Sequence, residues 1–198
     1  MNRIELINYL IKRYNYKKYL EIGCNKNECF DNIICENKIG VDPYNGGNVR
    51  MNSNKYFLLN KLNVFNKQNF DIVFIDGLHY SVQTYKDIKN SLKILNKAGT
   101  IIVHDCHPIN EKEALFPDQG TKNWNGDVWK ALVYYRQNPD IDIVTANFDW
   151  GCGIIKIRQN TDIINLNKKY TELTWNDYIE NNERWLRLKS FEEIENWL

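Results

Sequence analysis

Absences bound this 198-residue chain before any motif does. Its five cysteines, Cys24, Cys29, Cys35, Cys106 and Cys152, form an odd, scattered set without a Cys-x-x-Cys pair. That argues against a disulfide framework or a zinc knuckle and for a reducing compartment. No stretch approaches the roughly eighteen consecutive apolar residues of a membrane span. The N-terminus, broken by Arg3, Glu5, Lys12 and Arg13, reads as neither signal peptide nor anchor, so a cytoplasmic protein with no membrane partner is expected. Lys and Arg number 26 against 25 Asp and Glu, a net charge of +1 spread along the chain, which gives no electrostatic footprint for nucleic acid. G-x-G-x-x-G and G-x-x-x-x-G-K-[ST] are both missing, so neither an NAD nor an NTP site is supported. Repeats, low-complexity tracts and Pro- or Ser-rich linkers are also missing. With 43% hydrophobic residues, one domain over 1–198 is expected.

What is present is an alternation of short apolar runs and helical spacings. Ile4, Ile7, Leu10, Ile11 and Tyr14 predict an opening helix over about 3–15. Strands are predicted at Tyr19–Ile22, Lys38–Val41, Asp71–Ile75, Thr100–Val103, Ile141–Thr145 and Gly153–Ile157, with a short edge strand within 48–54. Phe30, Ile33 and Ile34 suggest a helix after the first strand. Phe57, Leu58, Leu62 and Phe65 suggest another. Val82, Tyr85, Ile88, Leu92 and Leu95 mark a crossover helix, with a turn at Ala98–Gly99. The irregular stretch 109–125 is longer than most loops of compact domains, and such loops are usually functional. Thr174 with Asp177, and Ser190 with Glu193, have the spacing of capping boxes opening helices in a C-terminal extension over about 172–198. Continuously apolar strands joined by helices imply an α/β fold with a largely parallel sheet buried on both faces.

In such sheets ligands bind beyond the carboxyl ends of the strands. Gly23 follows the first strand, and its missing side chain permits close backbone approach. Asp42 ends the second strand about twenty residues on, where a carboxylate can accept from both hydroxyls of a ribose. Asp76 and His79 follow the fourth strand, and His104 and Asp105 the fifth. Gly126-Asp127-Val128-Trp129-Lys130 opens a helix, with Asp127 expected to cap it. Trp129 is open between a buried core residue and a ring stacking on substrate.

Read in order, YLEIG (Tyr19 to Gly23), IGVDPYNGGNVRMNSNKYF (Ile39 to Phe57), FIDGLHY (Phe74 to Tyr80), DIKNSLKIL (Asp87 to Leu95), AGTIIVHDCHP (Ala98 to Pro108), GDVWKA (Gly126 to Ala131) and DWGCGII (Asp149 to Ile155) span most of the chain. The sequence resembles the class I S-adenosylmethionine-dependent methyltransferases. More narrowly, it is similar to small bacterial-type members associated with glycan and sugar modification. One departure stands out, since the family's first motif carries a second glycine where this chain has Asn27. Asparagine tolerates the left-handed conformation better than most residues.

The resemblance implies a Rossmann-like sheet of seven strands with the last antiparallel and helices on both faces. It implies S-adenosylmethionine as cofactor, lined by Glu21, Gly23, Asp42, Asp76 and Gly77, with Ser53 near the adenine. His79 and His104 have the pKa range for a base at neutral pH, with Asp76 beside them. Asp76, His104 and Asp105 equally read as ligands for Mg²⁺ or Mn²⁺, provided the strand has ended before His104 and Asp105, since strand side chains alternate. Trp129, Lys130 and His107 are candidates for the acceptor's edge. The expected activity is O-methylation of a sugar hydroxyl on a nucleotide-sugar or glycan. The alternatives are methylation of a small non-sugar metabolite, or cofactor binding without catalysis. The C-terminal aromatics read as core or as a homodimer face.

Overall fold

Apolar runs that read as buried on both faces occupy the middle of one sheet. The computed structural model describes residues 1–64 and 68–198. Its strands are β1 (Lys18–Ile22), β2 (Asn37–Asp42), β3 (Val49–Arg50), β4 (Phe70–Ile75), β5 (Leu95–Val103), β6 (Ile141–Ala146), β7 (Cys152–Ile157) and β8 (Leu188–Lys189). Their order is β3-β2-β1-β4-β5-β7-β6-β8, parallel except for β7, which runs antiparallel to both β5 and β6. The sheet therefore has eight strands rather than seven, the eighth being a two-residue pairing of Leu188–Lys189 with Thr145–Ala146.

Alternation along each strand sends side chains into two cores. Leu20, Val73, Ile101, Ile143 and Ile155 face one. It is covered by α2 (Ser53–Lys61), α3 (Ser81–Ile94), α4 (Val128–Tyr135) and α5 (Trp175–Leu186). Tyr19, Ile72, Phe74, Ile102, Val144 and Ile154 face the other, beneath α1 (Arg3–Tyr14) and α6 (Phe191–Trp197). Helix α1 opens with a capping box from Asn2 and Glu5, and α5 and α6 open with the boxes expected of Thr174–Asp177 and Ser190–Glu193. Among the described residues no helix is long and apolar enough to cross a membrane.

Local readings fail where tertiary contacts override periodicity. The helix expected around Phe30–Ile34 is one 3₁₀ turn, Phe30–Asn32. Leu6, Ile7, Leu10 and Ile11 of α1 already cover that face together with Phe30 and Ile33, and Ile34 is left exposed. Ala98–Gly99 is not a turn but part of β5, whose register against β4 shifts between Phe70 and Ile72. Helix α2 buries Tyr56, Phe57 and Asn60 rather than Leu58 and Leu62; Phe65 lies outside the described residues. Helix α3 turns Ser81, Thr84, Asp87 and Ser91 inward beside Ile88 and Ile94, so much of its buried face is polar.

Asp127 does not cap its own helix. Its carboxylate instead accepts from Ser81 N at 2.6 Å and Ser81 Oγ at 2.8 Å, capping α3 from 46 residues away. The N-cap residue of α3, Tyr80, provides no side-chain acceptor of its own. Asp127→Ala should therefore lower global stability by about 1–3 kcal/mol, read as a lower midpoint in urea. An unchanged midpoint would show that water replaces this cap without cost.

Candidate functional site

The carboxyl ends of β1, β2, β4 and β5 lie along one edge because their registers are level. Ile22 pairs with Val41 and Ile75, and Ile75 with Val103. The ladder continues one residue further, with Asp76 N donating to Ile22 O at 2.8 Å and His104 N to Ile75 O at 3.0 Å. Above this edge opens a cavity of ≈ 760 Å³, a size typical of small-molecule sites. Its wall brings together Glu21, Gly23, Asp42, Ser53, Asp76, Gly77, His79, His104 and Asp105. Trp129, Lys130 and His107 are not in that wall. Trp129 is 1% exposed and packs on Tyr178 and Trp185, Lys130 pairs with Asp127 at 3.5 Å, and His107 Nδ1 meets the Tyr178 hydroxyl at 2.7 Å. The buried reading of Trp129 accounts for its surroundings.

Gly23 has φ +86°, and a Cβ there would run into the Asp76 carbonyl oxygen and Gly77 Cα. Its freedom thus serves the close approach of the β1 and β4 ends as well as ligand access. Asn27, in the place of a family glycine, adopts φ 66°, and its Oδ1 accepts from Gly47 N at 2.6 Å. Asparagine keeps the left-handed turn and adds a tie to the loop after β2 that glycine lacks. Asp42 is more committed than a ribose ligand need be. Its Oδ2 accepts from Cys24 N and Asn25 N at 3.1 and 3.0 Å, and its Oδ1 from Tyr44 N and Asn45 N, both at 2.8 Å. Burial pushes its carboxyl up, but these four N–H donors outweigh it and hold the pKa below the ordinary value. Asp42 therefore organises the loops after β1 and β2 together.

At the other end of the cavity two carboxylates meet two imidazoles. His79 Nε2 lies 3.5 Å from Asp76 Oδ1 and 3.2 Å from Asp105 Oδ2. His104 Nδ1 lies 3.6 Å from Asp76 Oδ1 and 3.1 Å from Asp105 Oδ2. His104 and Asp105 can both face the site because β5 has ended at Val103 and Asp105 takes φ 59°. Burial works against every charge here. The imidazoles nevertheless hold Asp76 well below the usual carboxylate range, and the carboxylates raise both His79 and His104. His79 Nδ1 faces the Trp124 carbonyl at 2.9 Å, which can only accept. Neutral His79 therefore keeps its proton on Nδ1 and points the Nε2 lone pair at the carboxylates.

This donor set fits a hard divalent ion. Asp76, His79 and Asp105 offer ligand atoms within 4.8 Å of one another. The nitrogen–oxygen separations of 3.1–3.6 Å around His79 and His104 resemble the edge, about 3 Å, of an octahedron with Mg²⁺–ligand bonds of about 2.1 Å. Of the ligands expected from the sequence, Asp76 and Asp105 share this group, while His104 groups with Asp149 and Cys152; His79 Nε2 could serve as a third ligand or as a base, but not as both at once.

Several residues that hold this arrangement carried no assigned role in the sequence reading. Asp149, from the tight β6–β7 connection, faces His104 Nε2 at 3.8 Å. Its carboxylate takes Arg3 N at 2.6 Å and Arg3 Nη1 at 3.2 Å. Burial raises the Asp149 carboxyl, but His104 and Arg3 outweigh it and hold the pKa at about 2. Trp150 also lines the cavity. Consecutive residues after the long loop each fix a different part of the site. The Trp124 ring stacks on His79 at 4.8 Å, Asn125 Nδ2 donates to Asp105 Oδ1 at 2.7 Å, and Gly126 packs where any Cβ would clash with His79. The length of the 109–125 loop signalled function. The DWGCG run at 149–153 was quoted in the resemblance, but nothing local tied Asp149 to His104 or Arg3.

A methyltransferase-domain family matches residues 31–106, less than half of the chain but including β2, β4 and β5. No curated protein matches in sequence at a significant level. Solved structures match across most of the chain. The methyltransferase PaMTH1 of Podospora anserina, solved with SAH, is 15% identical over 79% of this chain and 78% of its own, with a TM-score of 0.57. The O-methyltransferase TomG of Streptomyces achromogenes, in complex with SAM, is 12% identical over 79% of each chain, with a TM-score of 0.52. MycE, from the mycinamycin biosynthetic pathway and solved with Mg, SAH and mycinamycin VI, is 14% identical over 83% of this chain and 51% of its own, at 0.54. The fold is that of the class I methyltransferases.

Glu21, 1% exposed, accepts a hydrogen bond from the Tyr19 hydroxyl. Burial is the main cause that pushes its carboxyl up to about 7, with Asp76 adding to it and Tyr19 opposing. A raised acid favours the folded state below its unfolded pKa, and that contribution is lost as pH rises through the folded value. Glu21→Gln should therefore be more stable than the wild type near pH 8 by roughly 3 kcal/mol. The advantage should vanish below the ordinary glutamate pKa, in urea titrations across pH. A pH-independent difference would place the cost elsewhere.

Proposed function

We propose that this protein is an S-adenosylmethionine-dependent O-methyltransferase acting on a hydroxyl of a small molecule, with a sugar as the favoured acceptor class. The observation that carries the proposal is the meeting of Asp76, His79, His104 and Asp105 at one end of a cavity whose other wall is Gly23, Asp42 and Ser53. Bound there, the sulfonium supplies a reactive methyl group and a divalent ion supplies positive charge for the acceptor oxygen.

The chain's own residues do the rest. Gly23 and Gly77 keep the ends of β1 and β4 clear for the cofactor's backbone approach. Asp42 fixes the two loops that flank the ribose position, and with its oxygens already accepting four N–H groups it contributes as much by shaping as by contact. On this reading the carboxylates of Asp76 and Asp105, and not His79, would hold the ion, and His79 Nε2 accepts the acceptor's hydroxyl proton as the methyl–oxygen bond forms and the methyl–sulfur bond breaks. The carboxylates of Asp76 and Asp105 raise the pKa of His79 against the effect of its burial, which favours its protonated form. An ion held by Asp76 and Asp105 would offset their charge and lower the pKa of His79 toward that of a free base, so the metal and base readings of this cluster are compatible. Trp150, which lines the same cavity beside His104, offers a ring on which a sugar could stack. The neighbouring MycE was solved with Mg and SAH, which accords with this reading.

Calorimetry should show S-adenosylhomocysteine binding to the wild type and equally to His79→Ala. The variant should lose roughly 10²–10⁴-fold in methyl transfer to sugar acceptors, and EDTA should abolish transfer until Mg²⁺ or Mn²⁺ is restored. Cofactor binding without transfer to any hydroxyl, in the presence of either ion, would favour the non-catalytic reading.

A further inference from the structure

Three Lys or Arg side chains stand in the cavity wall, Arg3, Lys26 and Lys122. Arg3 is engaged within the protein, with Nη1 3.2 Å from Asp149 Oδ1 and Nε 4.0 Å from Asp76 Oδ2. Lys26 belongs to the loop after β1 that Asp42 holds at the ribose position. Lys122 stands at the other end. It lies two residues before Trp124, whose ring stacks on His79 at 4.8 Å, and Lys122, Asn123 and Trp124 line the wall in succession. Lys122 is exposed, and among the described residues no Asp or Glu forms an ion pair with it. The carboxylates on either side of it in sequence are committed elsewhere. Asp118 Oδ1 accepts from Gly120 N at 2.9 Å and Thr121 N at 3.2 Å, and Asp127 is taken by Ser81 and Lys130. The Asp118 turn also holds the backbone just ahead of Lys122.

A lysine ammonium is a point charge with three donors and no acceptor. Set in the wall beside the base, it discriminates between acceptors by charge. An anionic group brought to this end of the cavity meets Asp76 and Asp105, whose like charge repels it. Lys122 offsets that repulsion from the rim, whereas a neutral sugar draws nothing charge-specific from it. Resting on the reading that a sugar hydroxyl is methylated here, we propose that Lys122 selects acceptors that carry an acidic group, a carboxylate or a phosphate, near the reacting hydroxyl. The acidic group accepts from the Lys122 ammonium while the hydroxyl faces His79 Nε2. The contact is charge-assisted, and at an exposed rim it is weakened by salt.

The test measures kcat/KM with S-adenosylmethionine and Mn²⁺ for matched acceptors: the methyl glycosides of glucose, galactose and mannose, the corresponding uronic acids and the corresponding 6-phosphates. The wild type should favour an acidic form over its neutral counterpart by roughly tenfold, and the form with the larger ratio tells carboxylate from phosphate. Lys122→Gln should bring that ratio close to one, mainly through KM. Lys122→Arg should keep it, and high salt should shrink it in the wild type. A wild type that treats the forms alike or favours the neutral ones would overturn the role of Lys122 and leave O-methylation standing. So would a wild-type ratio in Lys122→Gln, or a fall in that variant's affinity for S-adenosylhomocysteine, which would make the lysine a cofactor contact. A folded wild type that binds S-adenosylhomocysteine but methylates none of these sugars would overturn the sugar reading together with the proposal.

Discussion

Two carboxylates at the ends of neighbouring parallel strands, Asp76 and Asp105, set the terms for the rest of the site. Asp76 directly follows β4 and Asp105 lies two residues beyond β5, so their separation follows from the level ends of the two strands and from the left-handed turn at Asp105. Placed this close, they need positive charge between them. His79 and His104 can supply it, and the carboxylates raise the pKa of both imidazoles in return. The outer ring answers the same need, with Asp149 behind His104 and Arg3 behind Asp149. Charge thus alternates outward from Asp76 and Asp105 through the imidazoles to the first residue of α1.

The conformations that allow this are local and uncommon. Asp105 turns left-handed directly after β5, and Asp149, Trp150 and Gly151 do so in succession. The second turn is tied to the first: Cys106 N donates to Gly151 O at 3.0 Å and His107 N to Trp150 O at 2.8 Å. Non-glycine residues in this region are held there by their surroundings and cluster at functional sites. Residues 124–127 close the arrangement from a third side, touching His79, Asp105 and the start of α3. A change in the 109–125 loop would therefore reach the base, the carboxylates and a helix end together.

The central strands were legible in the chain because a parallel sheet buried on both faces needs continuous apolar runs, and Ile72–Ile75 and Ile101–Val103 are such runs. Strand ends then located Asp42, Asp76, His104 and Asp105, since the last apolar residue of each run marks where the ladder stops. Partners were less legible. Asp127 carried the right local signal for a cap, but its carboxylate is taken by Ser81 N and Oγ and so serves α3. Trp129 was open between a core residue and a stacking ring, and its position on α4 turns it into the core against Tyr178. Phe30 and Ile33 had helical spacing, but α1 already filled the space a crossover helix would occupy. Arg3 and Asp149 meet across 146 residues, a separation that local reading does not bridge.

The account stands on Asp76 and Asp105 holding a divalent cation beside the base His79. Titration of Mn²⁺ into the protein, followed by electron paramagnetic resonance of the free ion, tests this without any acceptor or turnover. One tightly held ion per chain, weakened by about 10–100-fold in Asn125→Ala and lost in a folded Asp76→Ala–Asp105→Ala double variant, is the predicted result. Mn²⁺ binding that is absent from the wild type, or that persists unchanged in the folded double variant, would contradict it.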